Sequence, residues 1–262
     1  DSPFQSIPAA YNVMTEGQND VLILVQRPTT ASATRGTFRL SATLTWAKSA
    51  CHMIGVTAPV PEFQRCRIST PTGATTNINP LFVVSATGCM FSNFAFFQGV
   101  GEAAAEQLCS ITGDRNYFSN VAFQGMGATG GAQNASSYDV TLTDGDENCF
   151  DNCVFGTETI QRNTTNANVV IAGGSQRNLF RDCTFIMNTS STGSLFVSAN
   201  TANCLNGSTM TFKRCMFRNL LNVTSAAVPA QVIAASTTAN GTIYFDECSA
   251  AATAWSTTTN GV

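Results

Sequence analysis

Six copies of one short pattern recur along the chain at near-constant spacing, and that repetition limits the fold more than any other feature. Aligned on their first aromatic, they read GCMFSNFAF with Phe91, RNYFSNVAF with Phe118, ENCFDNCVF with Phe150, RNLFRDCTF with Phe180, TMTFKRCMF with Phe212 and TIYFDECSA with Phe245. The intervals are 27, 32, 30, 32 and 33 residues. A period in this range marks stacked supersecondary units, each too small to bury its own apolar face, so that neighbours bury it for one another.

Within each copy the pattern is F-x-polar-apolar-x-F. Apolar residues on odd and even positions together belong to a short strand that bends or is covered on both faces. β-Branched and aromatic residues dominate, and Gly, Asn, Asp and Ser bracket every copy, which argues against a helix. Upstream of each copy lies a second short apolar run that ends in a turn: PLFVVSATG, EQLCSITG, YDVTLTDG, NVVIAGG, GSLFVSAN and AQVIAAS. Two or three short strands in about 30 residues, with no helical stretch between them, make one coil of a parallel β-helix. The fold class expected is therefore all-β, a single-stranded parallel solenoid. Six or seven coils stacked at roughly 4.8 Å give a rod on the order of 30 Å long. Equivalent residues then form ladders. Phe91, Phe118, Phe150, Phe180, Phe212 and Phe245 make one, Phe96, Phe123, Phe155, Phe185 and Phe217 a second, and Phe94, Val121, Cys153, Cys183, Cys215 and Cys248 a third.

The same register explains the cysteines. Ten in a chain of 262 residues could signal disulfides or metal sites. Cys153, Cys183, Cys215 and Cys248 recur once per coil at an apolar position, where a small buried hydrophobe belongs. Cys149 and Cys153 have the wrong spacing for a zinc knuckle, and the single histidine offers no second half of a site. Free buried thiols suit assembly in a reducing cytoplasm, so no metal and no cofactor is expected. Charged residues are only 11% of the chain and the net charge is −3. Lys48 and Lys213 are the two lysines, Arg65 and Arg67 form the closest basic pair, and nothing resembles the clustered basic face that binds nucleic acid. No signal peptide or transmembrane run stands out, and neither nucleic acid nor membrane is expected as a partner.

The first seventy residues differ in kind. SIPAAYNVM offers Ser6 as an N-cap, Pro8 in the first turn and Ile7, Ala10, Tyr11 and Met14 on one face, which predicts a short helix covering the open end of the stack. GQNDVLILVQRP reads as a turn and a buried strand. FRLSATLTWAKSACHMIGV supplies two more, with Leu44, Trp46, Met53 and Ile54 expected to point inward, and TAPVPEFQRCRIST completes an irregular first coil. The divisions expected are 1–70 for the cap and first coil, 71–250 for the regular coils and 251–262 for the start of a C-terminal extension or tip.

Enzymes that cut acidic polysaccharides often use such a rod, and their chemistry needs clustered carboxylates. The best local candidate is TDGDENCFDN, with Asp144, Asp146, Glu147 and Asp151 available to hold Ca²⁺. A hydrolase would need two carboxylates about 5–10 Å apart, such as Asp151 with Asp182 or Asp246 with Glu247. Yet Asp182 fills the slot held by Asn93, Asn120, Asn152, Arg214 and Glu247 in other copies, which reads as a solvent-facing turn ladder. DGDE is what a tight turn requires. His52, flanked by Cys51 and Met53, reads as a packed residue, and no nucleophile elbow or phosphate loop is present. No catalytic residue is assigned.

Taken together, FQSIPAAYNVMTEGQNDVLILVQ, LSATLTWAKSACHMIGV, FQRCRIST and the successive RNYFSNVAF, ENCFDNCVF and RNLFRDCTF units resemble a group of tailed-bacteriophage virion proteins with a right-handed, pectate-lyase-like β-helix. The similarity spans nearly the whole chain, and the N-terminal block carries most of its specificity. It implies a non-enzymatic structural role in a virion assembled in the host cytoplasm. It also implies a homotrimer that meets other virion proteins such as the major capsid protein, as a capsid decoration or spike. The alternative it leaves open is a tail fibre or tailspike that binds, and could cleave, host surface glycans.

Overall fold

The computed structural model describes residues 4–25, 37–58, 66–71, 73–75, 78–100, 104–220 and 227–256. Helix α1 (Ile7–Val13) is followed by β1 (Val21–Leu24), β2 (Phe38–Arg39), β3 (Leu44–Trp46), β4 (His52–Gly55) and β5 (Arg67–Ser69). Next come β6 (Phe82–Val84), β7 (Met90–Phe97), β8 (Gln107–Ile111), β9 (Tyr117–Gln124), the four-residue helix α2 (Thr129–Ala132), β10 (Tyr138–Thr143), β11 (Cys149–Asp151) and β12 (Val154–Arg162). The remaining strands are β13 (Ala167–Ala172), β14 (Leu179–Arg181), β15 (Thr184–Thr189), β16 (Leu195–Ala199), β17 (Ser208–Lys213), β18 (Met216–Asn219), β19 (Ile233–Ala235), β20 (Gly241–Asp246) and β21 (Ser249–Ala250). Every pairing among them is parallel. The chain is a parallel β-solenoid of about six turns.

Three faces enclose the core. The first is a seven-stranded sheet in the order β3-β6-β8-β10-β13-β16-β19. A 14-stranded sheet supplies the other two, because it folds over a corner that the long strands β7 and β9 cross without a break. At that corner one residue per coil has left-handed backbone: Asn93 (φ +60°), Asn120 (+52°), Asn152 (+52°), Asp182 (+54°), Arg214 (+51°) and Glu247 (+55°). Asn and Asp tolerate this conformation better than other side chains with a Cβ, which accounts for the polar slot in the repeat. The bend also lets residues on both sides of it face inward.

Phe91, Phe118, Phe150, Phe180, Phe212 and Phe245 form one column, with successive ring centroids 4.9, 4.8, 4.6, 4.7 and 5.2 Å apart and rings nearly parallel. Phe96, Phe123, Phe155, Phe185 and Phe217 form another at 5.8, 5.2, 4.8 and 4.7 Å. Offset stacking adds about 0.5–1.5 kcal/mol per pair to the burial itself. All ten cysteines are free. At the corner, the thiols of Cys153, Cys183, Cys215 and Cys248 donate to the carbonyls of Phe118, Phe150, Phe180 and Phe212 in the preceding coils, at 3.3–3.4 Å. A cysteine here both fills the corner and satisfies a carbonyl where the ladder bends.

A further column is polar and fully buried. The backbone N–H groups of Cys89, Asn116 and Asn148 donate to the side-chain oxygens of Asn116, Asn148 and Asn178, at 2.9, 2.9 and 2.8 Å. The three side-chain amides donate to Ala86, Gly113 and Gly145. These are the asparagines two residues before the first Phe in three successive copies. They satisfy backbone groups that the turn between the first and second faces leaves unpaired.

Helix α1 closes the N-terminal end. Ser6 caps it by accepting from the Ala9 N–H, and Ile7, Tyr11 and Met14 are buried. Tyr11 lies 4.6 Å from the buried Trp46. Lys48 holds the far end of the helix, donating to the carbonyls of Tyr11, Asn12 and Met14 at 2.9, 3.0 and 2.6 Å. Two expectations about this end need correction. Strand β1 is buried on one face only, with Leu22 and Leu24 inside and Val21 and Ile23 exposed, because it is an end strand paired with β4 alone. Ile54 points outward, since Met53 beside it in β4 takes the inward position and strand side chains alternate. Arg65 and the rest of 59–65 lie outside the described residues. At the other end, the stack continues past the last copy of the repeat. Trp255 sits 4.8 Å from Phe245, and the N–H groups of Val232 and Ile233 donate to the carbonyls of Ala254 and Trp255.

Candidate functional site

The four candidate carboxylates come from turns and from the outer side of the second face, and arginines pair with three of them. Arg115, Glu147 and Arg177 occupy one position in successive coils, all with left-handed backbone (φ +55°, +56° and +52°). Their side chains therefore stack: Glu147 accepts from Arg115 Nε at 2.6 Å and pairs with Arg177 Nη2 at 2.8 Å. Asp151 accepts from Arg181 Nη2 at 2.6 Å and Nε at 3.2 Å, and from the Tyr117 hydroxyl at 2.7 Å. Asp146 Oδ1 accepts the Gln176 N–H at 2.7 Å, serving the turn of the next coil, and its Oδ2 lies 3.9 Å from Arg177 Nη2. Asp144 is exposed, in left-handed backbone (φ +58°), with its side chain over Gly173.

The alternative hydrolase pairs are divided in the same way. Asp182 is held by Arg214 through two contacts of 2.7 Å, and Asp246 by Lys213 at 2.9 Å. Arg177 and then Arg115 hold Glu147 below the usual carboxylate range, Arg181 does so for Asp151, and Arg214 for Asp182. A general acid needs the opposite shift. A cation would have to displace guanidinium groups to reach Glu147 or Asp151, and among the described residues no set of three or more His, Cys, Asp or Glu could hold a metal ion. What these acids can do is neutralise a row of surface charge and lock turns in register, with water and salt screening each exposed pair. His52 is half-buried on the outer row rather than packed in the core. Its Nδ1 accepts the Met90 N–H at 3.0 Å, and Nε2 lies 3.3 Å from the Asn19 side-chain oxygen.

A second group of titratable side chains escaped sequence reasoning. Near the corner between the third and first faces, Glu106, Asp139 and Arg162 are all buried. Asp139 accepts from the Gly125 N–H at 2.6 Å and from the Asn168 amide at 2.8 Å. The Asn168 oxygen accepts from Arg162 Nη2 at 2.8 Å, so the amide bridges carboxylate and guanidinium. Burial pushes Asp139 up to about 6, opposed by Arg162, and brings Arg162 down to about 10. Neither carboxyl oxygen of Glu106 makes a well-formed hydrogen bond. Burial raises this group to about 9, opposed by the nearby backbone N–H groups of Ala128, Gly127 and Val100, so it is neutral at pH 7. Gly131 of α2 packs directly against it, and a Cβ there would fall 2.2 Å from the Glu106 carboxyl carbon. No repeat announces these residues. The one legible signal is local, two Q-G-x-G stretches in successive coils, Gln98–Gly101 and Gln124–Gly127, of which Gly101 lies outside the described residues.

Among the described residues no helix is long and apolar enough to cross a membrane. A scan against protein-family models, a search of curated proteins and a search of solved structures each return no match.

Proposed function

We propose that this chain is a non-enzymatic structural protein of a tailed-bacteriophage virion, a homotrimeric β-helical decoration or spike on the capsid surface. The observation that carries the structural part is the fate of the carboxylates. Glu147, Asp151, Asp182 and Asp246 each face a cation from a neighbouring coil, and Asp146 serves a turn, so the residues best placed for chemistry act as rungs instead. The virion part rests on the resemblance of the N-terminal block. A rod whose columns run from one coil to the next is stiff, and its turns can vary without disturbing the core.

The test is the copy number of this chain in purified particles, measured by quantitative mass spectrometry against the major capsid protein. Scores to hundreds of copies place it on the shell; absence from the particle overturns the proposal. A few trimers' worth would favour the tail-fibre reading. The observation behind that second reading is the outer row of the second face, where exposed Tyr244 and the Tyr117–Asp151–Arg181 group present aromatic and charged surface of the kind that contacts sugars. Binding or clearing of host polysaccharide by the purified protein then becomes the deciding assay.

A further inference from the structure

The first face differs from the other two in carrying no charge on its outer side. In the strands β3, β6, β8, β10, β13, β16 and β19 the one residue among Asp, Glu, Lys, Arg and His is Asp139, which is buried at the corner. The central outward row runs in register from Thr45 through Val83, Ser110, Thr141, Val170, Ser198 and Ala234. Nothing in it is larger than valine or threonine, so the surface is flat as well as neutral. The second face, by contrast, carries Arg181 with Asp151 and Lys213 with Asp246, and the third has Arg67 near one end and exposed Arg218 near the other.

We propose that the first face is the surface through which copies of this chain contact one another. In a closed homo-oligomer each residue near the symmetry axis meets its own copies, so charge on a contact face sets like against like, at a cost of several kcal/mol. The first face is the one whose strands bring no such penalty. Size is compatible with a modest interface. Seven strands at roughly 4.8 Å and two accessible outward positions per coil at roughly 6.6 Å, such as Val83 with Ser85 and Val170 with Ala172, give on the order of 450 Å² per copy. The resulting total of about 900 Å², to which the flanking turns add, lies at the small end of protein interfaces. Small side chains also let two sheets approach closely, which compensates in packing for the absence of a large apolar anchor. This assignment rests on the proposed structural role only for the expectation that copies associate; the choice of face comes from the geometry.

The experiment compares wild type with the double variant Val170→Lys, Ser198→Lys, and with the controls Thr211→Lys on the second face and Thr184→Lys on the third. Mass is read by size-exclusion chromatography with light scattering, and fold by far-ultraviolet circular dichroism. The expected result is an oligomer for wild type and both controls. The double variant should run at the monomer mass of 27.6 kDa with an unchanged spectrum, its self-association weakened about a hundredfold or more. Hydroxyl-radical labelling of the wild-type protein tests the same point without a variant, since Val83 and Val170 should be protected in the concentrated oligomer relative to dilute protein while Tyr244 is not. An oligomer that survives the double substitution, or equal labelling of Val83 and Val170 in both states, overturns the face assignment and leaves the structural role standing. A wild-type chain that stays monomeric overturns the self-association on which both depend.

Discussion

Replacing Glu106 with glutamine removes one buried proton-binding site while keeping the shape of the side chain. In the folded chain the carboxyl is pushed up to about 9, against 4.5 for an unhindered glutamate, because burial disfavours the charged form more than the backbone N–H groups of Ala128, Gly127 and Val100 favour it. A folded value above the unfolded one means that the contribution to stability is complete below about pH 4.5 and is lost as pH rises towards 9. The slope in that window is at most about 1.4 kcal/mol per pH unit. Between pH 6.5 and 8.5 the wild-type chain should therefore lose up to about 2.7 kcal/mol from this site, which at roughly 2–4 °C per kcal/mol is a fall in Tm of about 5–10 °C. Asp139 shifts in the same direction, but its window closes near pH 6, so it does not contribute there. Thermal unfolding of wild type and Glu106→Gln at pH 6.5, 7.5 and 8.5 measures the effect. The variant should show the shallower dependence and be the more stable of the two at pH 8.5. Parallel pH curves for the two proteins would refute the assignment of Glu106 as a buried neutral acid.

Phe150→Ala, in the middle of its column with rings at 4.8 and 4.6 Å on either side, should cost about 3–5 kcal/mol in chemical denaturation. Phe245→Ala, half-buried near the end of the same column, should cost less than about 2 kcal/mol, and equal losses would argue against the stacking described. Asn148→Ala leaves the Asn116 N–H and the Gly113 carbonyl without partners and should cost about 2–4 kcal/mol; a silent substitution would mean that water replaces the side chain. Glu247→Asn relieves left-handed backbone at an exposed corner and should stabilise by about 0.5–1 kcal/mol, readable as a rise in Tm.

Legibility in the sequence followed periodicity. The phenylalanine and cysteine columns could be read because every coil offers the same environment at the same rung, so one residue type recurs at a fixed interval. Helix α1 was legible for a different reason, since Ser6, Pro8 and the spacing of Ile7, Tyr11 and Met14 are local signals that need no partner. The asparagine column was visible as letters but not as a structure, because its role depends on carbonyls one coil away. Val21, Ile23 and Ile54 misled because apolar composition does not say which way an end strand faces. Glu106, Asp139 and Arg162 recur in no column, and only the neighbouring Q-G-x-G stretches hinted at them. The three meet only where β12 lengthens around Gly156 (φ +98°) and α2 inserts, and among the described residues an irregularity of that kind occurs once.

The same contrast bears on function. A solenoid places identical backbone at every rung, so a residue that departs from its column signals either a site or a local repair of packing. Among the acids, Asp146, Glu147, Asp151 and Asp182 keep to their columns and have partners in neighbouring coils, which makes them part of the repeat. Glu106 and Asp139 depart from theirs, but they are fully buried and so closed to any polymer that could lie along the rod. Asp144 stands apart from both classes, exposed on its turn in left-handed backbone. The variation that remains is on the surfaces: an ion-paired second face and an uncharged first face. On the structural role proposed above, a uniform interior with differentiated outer faces would let the chain meet other surfaces in a fixed orientation.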